Sequence, residues 1–186
     1  IINSASELSG IKKSKIKQAL SSRTSVFNKF TYEKERSIAY LKLALARVLD
    51  NDNIIISGYT GLMIPDIIHH VLRICLIAKT EFRLAQAKRD HQLDTEDALQ
   101  AISLEDHDKS VWIDMLYSVN DPWDASLYDI VLSMDTTNPV KACALIKESL
   151  LKEAVGSTEA YNAAVNDFLM AATIETTLVN AGHNVG

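Results

Sequence analysis

Chain-breaking residues are scarce in this sequence: 6 glycines and 3 prolines among 186 residues, well below the roughly 12% that these two types make up in ordinary proteins. Helix is therefore expected to dominate. Cysteine is nearly absent. Only Cys75 and Cys143 occur, which argues against a disulfide scaffold or a cysteine-built metal site; each lies in an apolar segment and is read as a buried thiol in a reducing cytoplasm. An excess of basic charge is missing as well. The formal net charge is −5, so general binding to nucleic acid or to an anionic membrane is not expected, and any phosphate contact has to come from a local cluster. No apolar run approaches the roughly 18 residues that a membrane span needs. The longest, 53–57 and 72–78, have the length of core strands. Ile1 rather than Met opens the chain and no signal-peptide pattern is present, so the chain is read as a fragment excised from something longer. What is there, 47% hydrophobic and 23% charged residues, suits one domain with a single sizeable core.

Two short helices are predicted at the start, over 4–8 closed by Gly10 and over 12–20, where Ile11, Ile16, Ala19 and Leu20 share one face and the lysines lie on the water side. A long amphipathic helix is predicted over 31–49, with Thr31 as N-cap and Ile38, Leu41, Leu45 and Val48 at helical spacing. The turn signal Asp50-Asn51-Asp52-Asn53 ends it. Three apolar runs without alternation follow, at 54–58, 72–78 and 128–133, the pattern of strands buried on both faces of a parallel sheet. Between the second and third, helices are predicted over 80–91, over 94–104 with Asp94 or Thr95 as cap, and over 106–117. Asn138-Pro139, a cap followed by a first-turn proline, opens a helix to about Ala154 that Gly156 closes. A last helix over 157–180 is crowded with Ala163, Ala164, Phe168, Ala171, Ala172 and Leu178. Strands separated by helices imply βαβ crossovers, hence a helix-rich α/β fold with a three-layer parallel sheet flanked by helices.

In such sheets the ligand crevice lies outside the carboxyl ends of the strands, which directs attention to 58–65, 79–89 and 134–141. Gly58 and Gly61 let backbone N–H groups approach a ligand closely, or simply make a strand-exit turn. Lys79, Arg83, Lys88 and Arg89 follow the second strand. Lys79 and Arg83, four apart, share a helix face and read either as a solvated basic face or as a local anion clamp on an acidic protein. The acidic stretch 94–109 reads as helix caps and solvated faces; Glu105 and Asp108 have ligand spacing, but no His or Cys completes a metal set. The adjacent His69 and His70 diverge on a helix and on a strand alike. Neither a Gly-x-Ser-x-Gly elbow nor a cysteine with an activating histidine occurs. Residues 5–14 echo the spacing of a phosphate-binding P-loop, yet Ala5 stands where its first glycine belongs, Ile11 stands at its lysine, and no strand precedes. No metal ligand and no catalytic residue is assigned.

Several segments together resemble the cytidylate kinase-like family, relatives of the nucleoside monophosphate kinases. They are Phe30-Thr31-Tyr32-Glu33-Lys34-Glu35-Arg36, Ile54-Ile55-Ile56-Ser57-Gly58-Tyr59, the run 72–83, Ala98-Leu99-Gln100-Ala101-Ile102 with Asp106-His107-Asp108-Lys109, and above all Trp123-Asp124-Ala125-Ser126-Leu127-Tyr128-Asp129-Ile130-Val131-Leu132. The resemblance covers about 1–151. It implies a P-loop kinase fold with a mobile lid, in which ATP phosphorylates a monophosphate through a P-loop lysine, Mg²⁺ and lid arginines. It further implies that Arg83 contacts phosphate, that 106–109 belong to the lid, that Tyr32 and Arg36 lie near the monophosphate, that Gly58 and Tyr59 leave a sheet strand, and that the loop after Ser133 flanks the ATP base. The sequence departs from the family pattern in three places. On this resemblance it is expected to begin after the point where the family's first strand, P-loop and second strand would lie, Gly58-Tyr59 stands where relatives have Gly-Arg, and Lys109 stands where an arginine is expected. Lysine keeps the charge and loses the planar bidentate fork.

The candidates for phosphate or nucleotide binding are Arg36, Gly58, Tyr59, Lys79, Arg83 and Lys109. No cofactor is expected in this chain, with ATP and Mg²⁺ implied by the family in its complete form. The expected organisation is a kinase-like domain over 1–155, lacking the first strand and P-loop, and a C-terminal helix over 156–186 leading towards a further module. The leading expectation is a catalytically impaired domain with a regulatory or ligand-sensing role in a larger cytoplasmic signalling protein, working as a homodimer beside other domains of its parent. A nucleoside monophosphate kinase whose P-loop lies upstream is the alternative from the enzyme class. A structural dimerisation domain is the third.

Overall fold

The computed structural model describes residues 1–21, 32–51, 53–152 and 159–183. Along the chain these form α1 (Ile2–Ser9), α2 (Lys13–Ala19), α3 (Glu33–Leu49), a 3-10 turn (Tyr59–Met63), β1 (Ile74–Ile77), α4 (Thr80–His91) and α5 (Thr95–Tyr117). A second 3-10 turn (Ala125–Leu127), β2 (Ile130–Ser133), α6 (Pro139–Lys152) and α7 (Glu159–Asn180) complete the series. Two compact units divide them, one from Ile1–His69 with Ser157–Gly186 and the other from His70–Gly156.

The first unit is built round α3. Leu41 and Leu45 are fully buried, as the predicted stripe requires, but Ala39, Tyr40, Leu43, Ala44, Ala46 and Leu49 are buried too. Burial extends round the helix because α1, α2, the first 3-10 turn and α7 all pack on it, and its alanines leave room for close approach. Gly10 ends α1 in the left-handed region (φ 71), donating its N–H to Ser6 O at 3.0 Å. Ile16, Ala19 and Leu20 then turn inward on and just after α2. The predicted cap Thr31 lies outside the described residues; α3 follows Tyr32, which has φ 47. Helix α7 runs antiparallel to α3. Tyr161 donates to Leu49 O at 3.1 Å, Lys42 meets Glu175 at 2.7 Å, and Asn180 donates to the Tyr40 hydroxyl at 2.8 Å. Its inward face is Ala164, Val165, Phe168, Ala172, Thr176 and Val179, whereas Ala163, Ala171 and Leu178 stand outward.

One expected strand is absent. Residues 54–58 pair with no strand among the described residues, and Ile55 is 97% exposed. A β-branched run favours extended backbone, but a strand exists only where a neighbour accepts its hydrogen bonds. Instead the segment runs into Gly58 (φ 99) and the first 3-10 turn, whose Leu62 and Met63, with the following Ile64, are buried. The three-stranded expectation is thereby corrected to a parallel pair.

That pair is the centre of the second unit, with Ile74 opposite Ile130 and Ile77 opposite Ser133. Before the strands, Arg73 N–H donates to Asp129 Oδ2 at 2.6 Å and Arg73 O accepts from Ile130 N–H. After them, Met134 N–H reaches Ile77 O at 2.8 Å. Cys75 and Leu132 are buried while Leu76 and Val131 are open, so neither strand is covered on both faces as predicted. The crossover between them is a helical hairpin. Helix α4 has its predicted bounds and reverses at Gln92 (φ 55), and Asp94 caps α5 by accepting Asp97 N–H at 2.9 Å. The two helices expected over 94–104 and 106–117 are one, since Leu104-Glu105-Asp106 contains nothing that breaks a helix. Trp112 and Ile113 anchor it in the core. Asn138 caps α6 by accepting Lys141 N–H at 2.8 Å, and the expected closure at Ala154 and Gly156 lies outside the described residues. Cys143 is exposed, against its expectation as a buried thiol, because α6 turns Ala142 inward and the next residue outward.

Candidate strand-end charge site

The carboxyl ends of both strands lie in the second unit and deliver charge at once. Lys79 immediately precedes α4, and its ammonium lies 3.9 Å from Asp135 beyond β2. Asp135 also accepts the Ser133 hydroxyl at 2.6 Å. That hydroxyl, with a smaller contribution from Lys79, holds the Asp135 carboxyl below the usual range. One turn into α4, Arg83 faces α5. Its Nη1 donates to Asp106 Oδ2 at 2.7 Å and its Nη2 to Oδ1 at 2.6 Å, a planar two-bond pair. This bonding raises the guanidinium pKa further above its already high value. Three residues on, Lys109 bonds back to Glu105 at 2.9 Å across one helical turn. A cleft of about 380 Å³ opens beside the cluster, lined by Leu76, Phe82, Arg83, Gln86, Ile102 and Glu105 among others.

Of the six candidates read from the sequence, Lys79, Arg83 and Lys109 belong to this unit. Arg36, Gly58 and Tyr59 belong to the other, where Arg36 lies on α3 with a buried Nε that has no hydrogen-bond partner among the described residues, and Gly58 opens the 3-10 turn. Lys79 and Arg83 follow one another by a helical turn as expected, yet each is engaged by a different carboxylate. Asp106 is the partner that sequence reasoning missed. A signal existed: α4 and α5 fold back about residues 92–94, which brings positions at comparable distances from that turn opposite one another. The Lys79–Asp135 contact has no local signal, because it depends on two strands ending side by side, whereas the Ser133–Asp135 hydrogen bond joins residues only two apart.

The carboxylates do not suit a cation. Asp106 is committed to Arg83 and Glu105 to Lys109, and among the described residues no group of three His, Cys, Asp or Glu converges. Among the described residues the charged side chains of this site therefore form ion pairs with one another and do not gather into an all-protein metal cage. Cys75 offers no nucleophile either. Burial pushes its thiol up against a smaller opposing effect of the Tyr128 hydroxyl, which itself donates to Pro122 O at 2.7 Å.

Among the described residues no helix is long and apolar enough to cross a membrane. No curated protein and no solved structure matches the chain. The model of the cytidylate kinase-like family matches residues 1–136, a stretch that contains α1 to α5 and both strands with their charged ends. The chain belongs to the cytidylate kinase-like family.

Proposed function

We propose that this chain is a nucleotide-responsive member of its family, which takes the phosphate of a nucleoside monophosphate at the strand-end cluster and has little or no phosphoryl-transfer activity. Family membership supports nucleotide binding, and position supports the site, because ligands of parallel sheets sit at the carboxyl ends of strands. The single observation that carries the reading is the Arg83 fork beside an open cleft. A planar guanidinium is well matched to phosphoryl oxygens. Weak catalysis follows from the same cluster. Lys109 lacks a fork, and each of Lys79, Arg83 and Lys109 is matched by a carboxylate, so little unspent positive charge is aimed at a transferring phosphoryl group. Such a domain suits ligand sensing within a larger chain, with residues up to about 155 as the sensing part.

Calorimetry with CMP, and with ATP and Mg²⁺, tests binding, and an assay coupled to ADP release tests turnover. Micromolar to sub-millimolar binding of CMP without turnover is the expected result. No heat from either nucleotide at millimolar concentration removes the reading. Family membership also favours a competent kinase, and steady ADP release dependent on CMP would establish that one instead.

A further inference from the structure

The Arg83–Asp106 pair carries an inference that deepens the strand-end reading and rests on it. The carboxylate occupies the end of the guanidinium fork through two bonds of 2.7 and 2.6 Å, in the geometry by which arginine also takes a phosphoryl group. Both side chains are 26% exposed, so the pair is screened less than one on the open surface. Arg83 nevertheless lines the cleft and can be reached from it. Around the pair the charges already cancel, Lys109 against Glu105 and Lys79 against Asp135. An anion entering the cleft thus meets no net positive charge unless a carboxylate gives way.

We propose that Asp106 is a built-in competitor for the phosphate-bearing ligand: a carboxylate latch that holds the Arg83 fork, ties α4 to α5, and is exchanged for phosphoryl oxygens when the ligand enters. The affinity of the site is then a difference between two anions for one guanidinium. Ligand entry also breaks an ion pair that joins α4 to α5, which couples occupancy of the cleft to the packing of this helical hairpin.

The test titrates inorganic pyrophosphate into the full chain by calorimetry at fixed ionic strength, for the parent sequence, Asp106→Asn and Arg83→Gln. Asp106→Asn is expected to bind about fivefold more tightly or better, the lower range for coupled equilibria, and Arg83→Gln to lose binding. An unchanged or weaker affinity in Asp106→Asn overturns the proposal, because that is what a carboxylate that only orients the arginine or fastens two helices produces. A second measurement needs no variant: the Arg83 guanidinium N–H resonances of the parent chain shift as pyrophosphate binds, and resonances that stay in place while heat is released overturn it equally. Parallel CMP titrations separate the two readings. Tighter pyrophosphate binding in Asp106→Asn with no CMP binding anywhere leaves the latch and removes nucleotide sensing, whereas CMP binding with unaltered pyrophosphate affinity does the reverse.

Discussion

Gly58 shows how a single residue sets local backbone. At φ 99 and ψ 162 it occupies a region that residues with a Cβ rarely enter, and a Cβ built there meets nothing within 4 Å. Its replacement is therefore a purely conformational test: Gly58→Ala is expected to cost about 1–3 kcal/mol, read as a lower urea midpoint with an unchanged slope. The two cysteines separate by accessibility. Cys143 is expected to react with a thiol reagent in the folded chain and Cys75 only on unfolding. Burial raises the Cys75 pKa above its ordinary 9.0, so the neutral thiol is favoured in the folded state. The associated stability is complete below pH 9.0, the unfolded value, and is lost as pH climbs through the higher folded value. Denaturant midpoints between neutral pH and pH 10 should fall in the parent chain and fall less in Cys75→Ala. At this scale the sequence was legible where the partner is local. Asp94 and Asn138 cap helices a few residues away, whereas the solvent-facing position of Cys143 depended on which side of α6 the core would lie.

Elements followed their patterns when they could complete themselves. A helix satisfies its hydrogen bonds internally, so α1, α2, α4 and α7 appear close to their predicted places, and where a side chain caps a helix start, as Asp94 does for α5, the cap is worth measurable energy. Asp94→Ala is expected to destabilise the chain by about 1 kcal/mol, since it leaves Asp97 N–H without its acceptor. Thermal unfolding together with loss of hydrogen-exchange protection confined to the first turn of α5 checks it. Strands are different, because a strand is completed by a neighbour that may be distant in sequence. The runs at 72–78 and 128–133 found each other and shortened to four residues apiece, while 54–58, richer in isoleucine than either, found no partner among the described residues. Apolar composition alone did not distinguish them.

In the first unit as a whole, the long-range packing of α7 on α3 outweighs the charge contacts that accompany it. Phe168 is buried on the inward face of α7, and Phe168→Ala is expected to cost about 3–5 kcal/mol. The Lys42–Glu175 pair remains 30% and 27% exposed, and Lys42→Met is expected to change stability by about 1 kcal/mol at most. Urea unfolding of the two variants ranks these contributions, and an equal loss in both would contradict the ranking. The sequence by itself determined a helix-rich chain, its main helix starts and stops, the charged residues after each strand, and the family resemblance, because all of these are written in spacings of a few residues. Only the tertiary structure decided that Asp106 meets Arg83, that Asp135 meets Lys79, and that just two of three apolar runs form a sheet. Those outcomes join positions more than twenty residues apart or compare one partner with another. Local propensity carries no information about which distant group will arrive, and hydrogen-bond and charge complementarity act only once packing has brought the groups together.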